Sequence, residues 1–105
     1  MTERISSVHS MPKIFKYDLG HIDRGILSAT IEGPAFVNIV DVQEQGDHLV
    51  MWAIVDTARM GDQTTIQIYS AYTGDPPPGK DWTYIKTIQS QFDDLVYHLF
   101  YKIIN

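Results

Sequence analysis

Leu49-Val50-Met51-Trp52-Ala53-Ile54-Val55 is an unbroken apolar run, closed by His48 and Asp56 and preceded by the turn-like Glu44-Gln45-Gly46-Asp47. Its length suits a strand and falls short of a stable helix. The lack of alternation predicts cover on both faces, so residues 48–56 are read as an internal strand. Elsewhere apolar and polar positions alternate. In residues 13–19, Phe15, Tyr17 and Leu19 share one side, with Ile14, Lys16 and Asp18 on the other. In residues 26–32, Leu27, Ala29 and Ile31 share a face before Gly33-Pro34 breaks the pattern. Residues 35–43 are β-branched and aromatic-rich, a third strand. Gln45-Gly46-Asp47 then offers hairpin chemistry, with Gly46 free to take positive φ. Residues 57–63 are polar and are expected to connect. Residues 64–72 alternate again, with Ile66 and Ile68 opposite Gln67 and Tyr69.

Residues 73–81 hold Pro76-Pro77-Pro78 and cannot be a strand interior, because proline removes the amide donor. They predict a rigid surface loop leading into a strand over 82–89. Residues 95–104 fit two periods. A helix would align Val96, Leu99, Phe100, Ile103 and Ile104; a strand would align Leu95, Tyr97, Leu99, Tyr101 and Ile103 against Val96, His98 and Phe100. Aromatic and β-branched content favours the strand. The expectation is one all-β domain over 12–105 with about seven antiparallel strands, a sandwich or barrel-like sheet, after a loose arm over 1–11.

Composition narrows the function classes. A chain of 105 residues with 44% hydrophobic and 20% charged residues can bury one core. No apolar run approaches the roughly 18–20 residues of a membrane span, and residues 1–11 lack the apolar stretch of a secretory signal. Net charge is −5, from 13 acids against 8 bases, and the lysines and arginines are scattered. That opposes nucleic-acid binding, which needs clustered cations. The acids fall mostly at segment ends, as turn residues do, rather than in the dense row a nucleic-acid mimic requires. With no cysteine there is no disulfide, thiolate site or cysteine nucleophile.

Catalytic and metal chemistry find little support in the spacing. His9, His21, His48 and His98 show no i, i+2 or i, i+4 ligand pairing, so neither metal nor cofactor is expected. His98 is the one candidate for a pocket beside aromatics. Ser28, Ser70 and Ser90 lack the Gly-flanked turn that exposes a nucleophile, and Gly74-Asp75-Pro76 cannot cradle phosphate. The expectation is a non-enzyme. Trp82, Tyr84, Tyr69 and Tyr72 are the better clue, because Trp and Tyr dominate interface hot spots. Trp52 is assigned to the core; Trp82 divides evenly between core and interface. Few lysines or prolines guard the strands, which predicts a homodimer or higher symmetric oligomer through the C-terminal strand or the aromatic surface.

Ile14-Phe15-Lys16-Tyr17, residues 39–45, Trp52-Ala53-Ile54-Val55-Asp56, Ile68-Tyr69, Thr73-Gly74, Tyr84-Ile85-Lys86-Thr87 and Val96-Tyr97-His98-Leu99-Phe100 form an ordered set. In that order and spacing the chain resembles, over nearly all of 13–100, a family of small uncharacterised proteins of bacteriophages and actinobacterial prophages. Members usually carry His where this chain has Asp75 and often Trp where it has Tyr97. Residues 1–10 have no counterpart, which makes Met11 a candidate start. The resemblance implies a phage-encoded β-rich domain in the host cytoplasm, or else in the virion, and no activity. The expected role is an accessory protein that inhibits a host defence component by protein–protein contact. A virion or assembly protein is one alternative. A nucleotide-signal sponge is another, using Arg24 or Arg59 with Trp82.

Overall fold

The computed structural model describes residues 9–23 and 25–104. Its seven strands are β1 Pro12–His21, β2 Gly25–Ile31, β3 Pro34–Gln45, β4 His48–Met60, β5 Thr64–Tyr72, β6 Thr83–Gln89 and β7 Val96–Ile104. Among the described residues there is no helix. The strands form two antiparallel sheets, ordered β1-β4-β3 and β2-β5-β7-β6. The all-β expectation therefore holds, and residues 96–104 are a strand.

The sheets pack through the faces that alternation assigned inward. Leu49, Met51, Ala53 and Val55 of β4 meet Ile66 and Ile68 of β5 and Tyr97 and Leu99 of β7, all at most 1% exposed. Leu19, Ile31 and Val42 complete this core. Lys86 of β6 reaches across to Asp41 of β3, with Nζ to Oδ1 at 2.8 Å, and the Gln91 amide donates to Glu44 Oε2 at 2.7 Å. Both contacts clamp the layers at one side.

Four expectations need correction. First, β4 is covered by a second layer on one face only. Its outer face carries Trp52, half-buried outside the core with the Lys16 ammonium 5.9 Å from its ring centroid. An unbroken apolar run reported the strand but not a second covering layer. Second, β4 continues to Met60, because Pro34 of β3 pairs with it there. Third, Ser10 and Met11 are docked, not loose. The Asp56 carboxylate accepts from Ser10 Oγ and the Met11 amide, and Thr57 N donates to Met11 O. Of the rest of the expected arm, His9 is exposed and outside any strand, and residues 1–8 lie outside the described residues.

The fourth correction is topological. Consecutive strands pair directly only at β3–β4 and β6–β7, and the C-terminal strand β7 is interior, inserted between β5 and β6. It has no free edge through which to dimerise. The edges are β1 and β3 in one sheet and β2 and β6 in the other. Register shifts interrupt β1, β3 and β6, a device that discourages edge pairing as well as lysine or proline does.

Acid titration should report the carboxylates. A hydrogen bond from the Tyr97 hydroxyl, and lesser ones, hold Asp93 below the usual carboxylate range. The Met11 amide does the same for Asp56. Partial burial pushes Asp41 up, but Lys86, Gln43 and the Val42 amide outweigh it and leave it low. Because the folded pKa values are depressed, this stabilisation is complete above the unfolded Asp value of about 4 and is lost as pH falls through the folded values. Thermal melts should show a steady Tm above about pH 5 and a fall below about pH 4. Asp93→Asn should flatten part of that fall; an unchanged acid slope would remove Asp93 from the account.

Candidate functional site

Three-proline rigidity acquires a purpose in this topology. The 73–82 loop leaves β5 and must step past the position of β7 to start β6. It turns back through the Asp75 amide donating to Tyr72 O and the Trp82 amide donating to Gly79 O. Trp82 is thereby laid on the outer face of the four-stranded sheet, its ring centroid 5.7 Å from Tyr69. The Lys102 ammonium stands 5.8 Å from the centroid of the same indole, a cation–π distance.

Tyr69 belongs to a row that crosses all four strands. Ile26 of β2 is opposite Tyr69 of β5, Tyr69 opposite Phe100 of β7, and Phe100 opposite Tyr84 of β6. The centroid spacings are 6.5 Å for Tyr69–Phe100 and 5.6 Å for Phe100–Tyr84. Ile26 and Tyr84 are more than half exposed, at 53% and 55%. The adjacent rows are Ser28, Gln67 and Lys102 on one side, and Ala71, His98 and Thr87 on the other. On the strands of this face, among the described residues, Lys102 is the single charge. A −5 protein has cleared its carboxylates from one sheet surface.

His98 sits beside the row and is held at both ring nitrogens. Nε2 is 2.8 Å from Thr73 Oγ1 and Nδ1 is 3.0 Å from Thr87 Oγ1, which in turn lies 2.8 Å from the Tyr84 hydroxyl. His98 thus lines a cavity of about 210 Å³ under the proline loop, with Ala71, Gly74, Asp75, Pro77 and Phe100 among its walls. The chain of hydroxyls can fix the imidazole's orientation. Both ring nitrogens face threonine hydroxyls, whereas a catalytic triad sets a carboxylate against one of them.

Tyr72 joins His98 in lining that cavity, and its ring lies 5.3 Å from Tyr97. The expected arginines are elsewhere. Arg59 lies on the other sheet with Nε 3.3 Å from Asp56 Oδ2, and Arg24 lies outside the described residues. The cation at Trp82 is Lys102, which sequence reasoning did not select, nor did it select Phe100 or Ile26. The signal for the first two was present in the His98-Phe100-Lys102 alternation. Ile26 needed the register of β2. Of the serines, Ser70 is fully buried in the core, and Ser90 closes the β6–β7 turn by accepting from the Phe92 and Asp93 amides.

A second cluster was missed entirely. β1 pairs His21 opposite His48 of β4, and Asp47 stands in the β3–β4 turn directly before His48. His21 Nδ1 is 3.0 Å from Asp47 Oδ2, and the two imidazole centroids are 4.7 Å apart. Sequence spacing cannot show a pair that only cross-strand register creates.

Fold and face together define a small two-sheet antiparallel β domain with one aromatic surface on which the strands place, among the described residues, a single lysine and no carboxylate. The chain belongs to the family of a domain of unknown function, DUF7352, whose model matches residues 11–104. No curated protein and no solved structure matches it. No helix among the described residues is long and apolar enough to cross a membrane.

Proposed function

We propose that this chain is a non-catalytic binding domain whose outer four-stranded face docks on an apolar protein surface carrying a carboxylate. We further propose that it is phage-encoded and restrains a host antiviral defence component by that contact. The observation that carries the docking is the Ile26–Tyr69–Phe100–Tyr84 row with Trp82, on a face bearing no carboxylate from its strands. Interface cores are depleted of charge and enriched in aromatics in this manner. The phage role is supported by the ordered resemblance described above.

Charge favours a foreign partner over a second copy. The strands of the face offer no carboxylate to another copy's Lys102, so self-docking would bury that ammonium without a strand partner. A nucleotide sponge is less well supported: the cavity of about 210 Å³ is lined by Asp75 and by no lysine or arginine. Such ligand sites usually exceed about 300 Å³.

The test is affinity capture from infected host cells with mass spectrometry, run beside Ile26→Glu. The wild type should retain a host protein. The variant should lose it with an unchanged Tm, because Ile26 is exposed at the row's end. Equal capture by both would refute docking through this face. Light scattering that shows a dimer broken by Ile26→Glu would assign the face to self-association, and recovery of the chain in purified particles would favour a virion role.

A further inference from the structure

We propose that His21, Asp47 and His48 bind one divalent cation of the zinc class, where β1 ends against the β3–β4 turn. The cluster is separate from the aromatic face and independent of its role. The donor atoms of the three residues lie within 4.8 Å of one another. For ligands about 2.0–2.1 Å from a tetrahedral zinc, donors stand roughly 3.3 Å apart. The His21 Nδ1 to Asp47 Oδ2 distance of 3.0 Å already matches that edge. His48 Nε2 stands 3.9 Å from Asp47 Oδ1, too long for a hydrogen bond and closed by a small side-chain rotation. The two imidazoles thus address different oxygens of one carboxylate.

Three features of the backbone assemble this set. The register shift between Asp18 and Gly20, where Gly20 takes φ 106, brings His21 opposite His48; an unbroken register would put Gly20 there. Gly46, at φ 61, occupies the first central position of the two-residue turn, where a II′ turn places glycine, and Asp47 is the second. The Ile22 amide donates to Asp47 O at 2.7 Å and ties the end of β1 to that turn.

The decisive contact is behind His48. Its Nδ1 lies 2.8 and 2.9 Å from the two Asp18 oxygens, and Asp18 Oδ1 also accepts from the Gly20 amide at 2.8 Å. A carboxylate on Nδ1 fixes the tautomer that leaves Nε2 with its lone pair, turned toward Asp47. Histidine ligands of zinc are usually supported in this way. Nε2 has no hydrogen-bond partner among the described residues. Two imidazoles and a carboxylate suit Zn2+ and Co2+ better than Mg2+ or Ca2+, which prefer all-oxygen shells. Three protein ligands leave a fourth position for water or for a donor from another molecule.

Titration of the purified chain with Co2+, followed by visible absorption and then by Zn2+ competition, tests the site. One equivalent should bind with a tetrahedral Co2+ spectrum that Zn2+ abolishes. His21→Ala, His48→Ala and Asp47→Asn should each weaken binding at least tenfold, and Asp18→Asn by about 10–100-fold. His9→Ala should leave it unchanged. Melts of each variant separate loss of the site from loss of the fold. Absence of saturable binding, equal binding by the folded double variant His21→Ala/His48→Ala, or loss of binding in His9→Ala would each overturn the proposal.

Discussion

Tyr97→Ala is expected to cost about 3–5 kcal/mol, a large share of the stability of a domain whose total is about 5–15 kcal/mol. The ring is 1% exposed and is among the largest fully buried side chains. Tyr72 packs edge-on against it at 5.3 Å, and the Tyr97 hydroxyl donates to Asp93 in the β6–β7 turn. Truncation would open a cavity between the sheets and leave the Asp93 carboxylate with the Leu95 amide but without the phenol. Burial, and then the Asp93 hydrogen bond, push the phenol well above its ordinary value, so it acts as a neutral donor throughout the accessible pH range. Tyr97→Phe separates the two contributions: it should keep most of the packing while raising the Asp93 titration toward the ordinary range. Urea denaturation measures both variants. A Tyr97→Ala midpoint close to wild type would mean that β7 does not anchor the core.

Trp82→Ala should do the reverse, weakening partner binding by at least about 30-fold, the effect of losing a hot spot worth 2 kcal/mol or more. The melting temperature should move by only a few degrees. The indole lies outside the core cluster, resting on Tyr69 beneath Lys102. Its removal strips contact area from the face without opening the interior. The three prolines before it limit the entropy lost when the loop is immobilised. Binding assayed against the captured partner, alongside a thermal melt, decides the matter. Unchanged affinity with a collapsed melting temperature would make Trp82 a scaffold residue and withdraw it from the binding surface.

Strand content was legible because alternation is local. Ile66/Ile68 against Gln67/Tyr69 is visible without knowing what lies beside β5, and the aromatic content of 96–104 settled helix against strand. The β3–β4 hairpin was legible for the same reason, its turn residues being adjacent in sequence. Sheet order was not. Nothing in residues 73–82 states that β7 will occupy the slot between the strands they connect. Both surface sites depend on that kind of information. Ile26, Tyr69, Phe100 and Tyr84 become one row only through three registers, and His21 meets His48 only through a one-residue shift in β1. Trp52 failed for a different reason, since a wide apolar run does not distinguish burial under a second sheet from half-cover by long neighbours such as Lys16.

The interior position of β7 also dictates an order of events during synthesis. Val96–Ile104 is the last of the seven strands to leave the ribosome, yet β5 and β6 meet each other only through it. Until it emerges, β6 has no strand to pair with, the core lacks Tyr97 and Leu99, and the aromatic row lacks Phe100 at its middle. Folding must then close contacts distant in sequence, which is slow compared with local pairing. On the proposed function, a nascent chain carries no assembled docking face, and a partner could be engaged only after β7 has been translated.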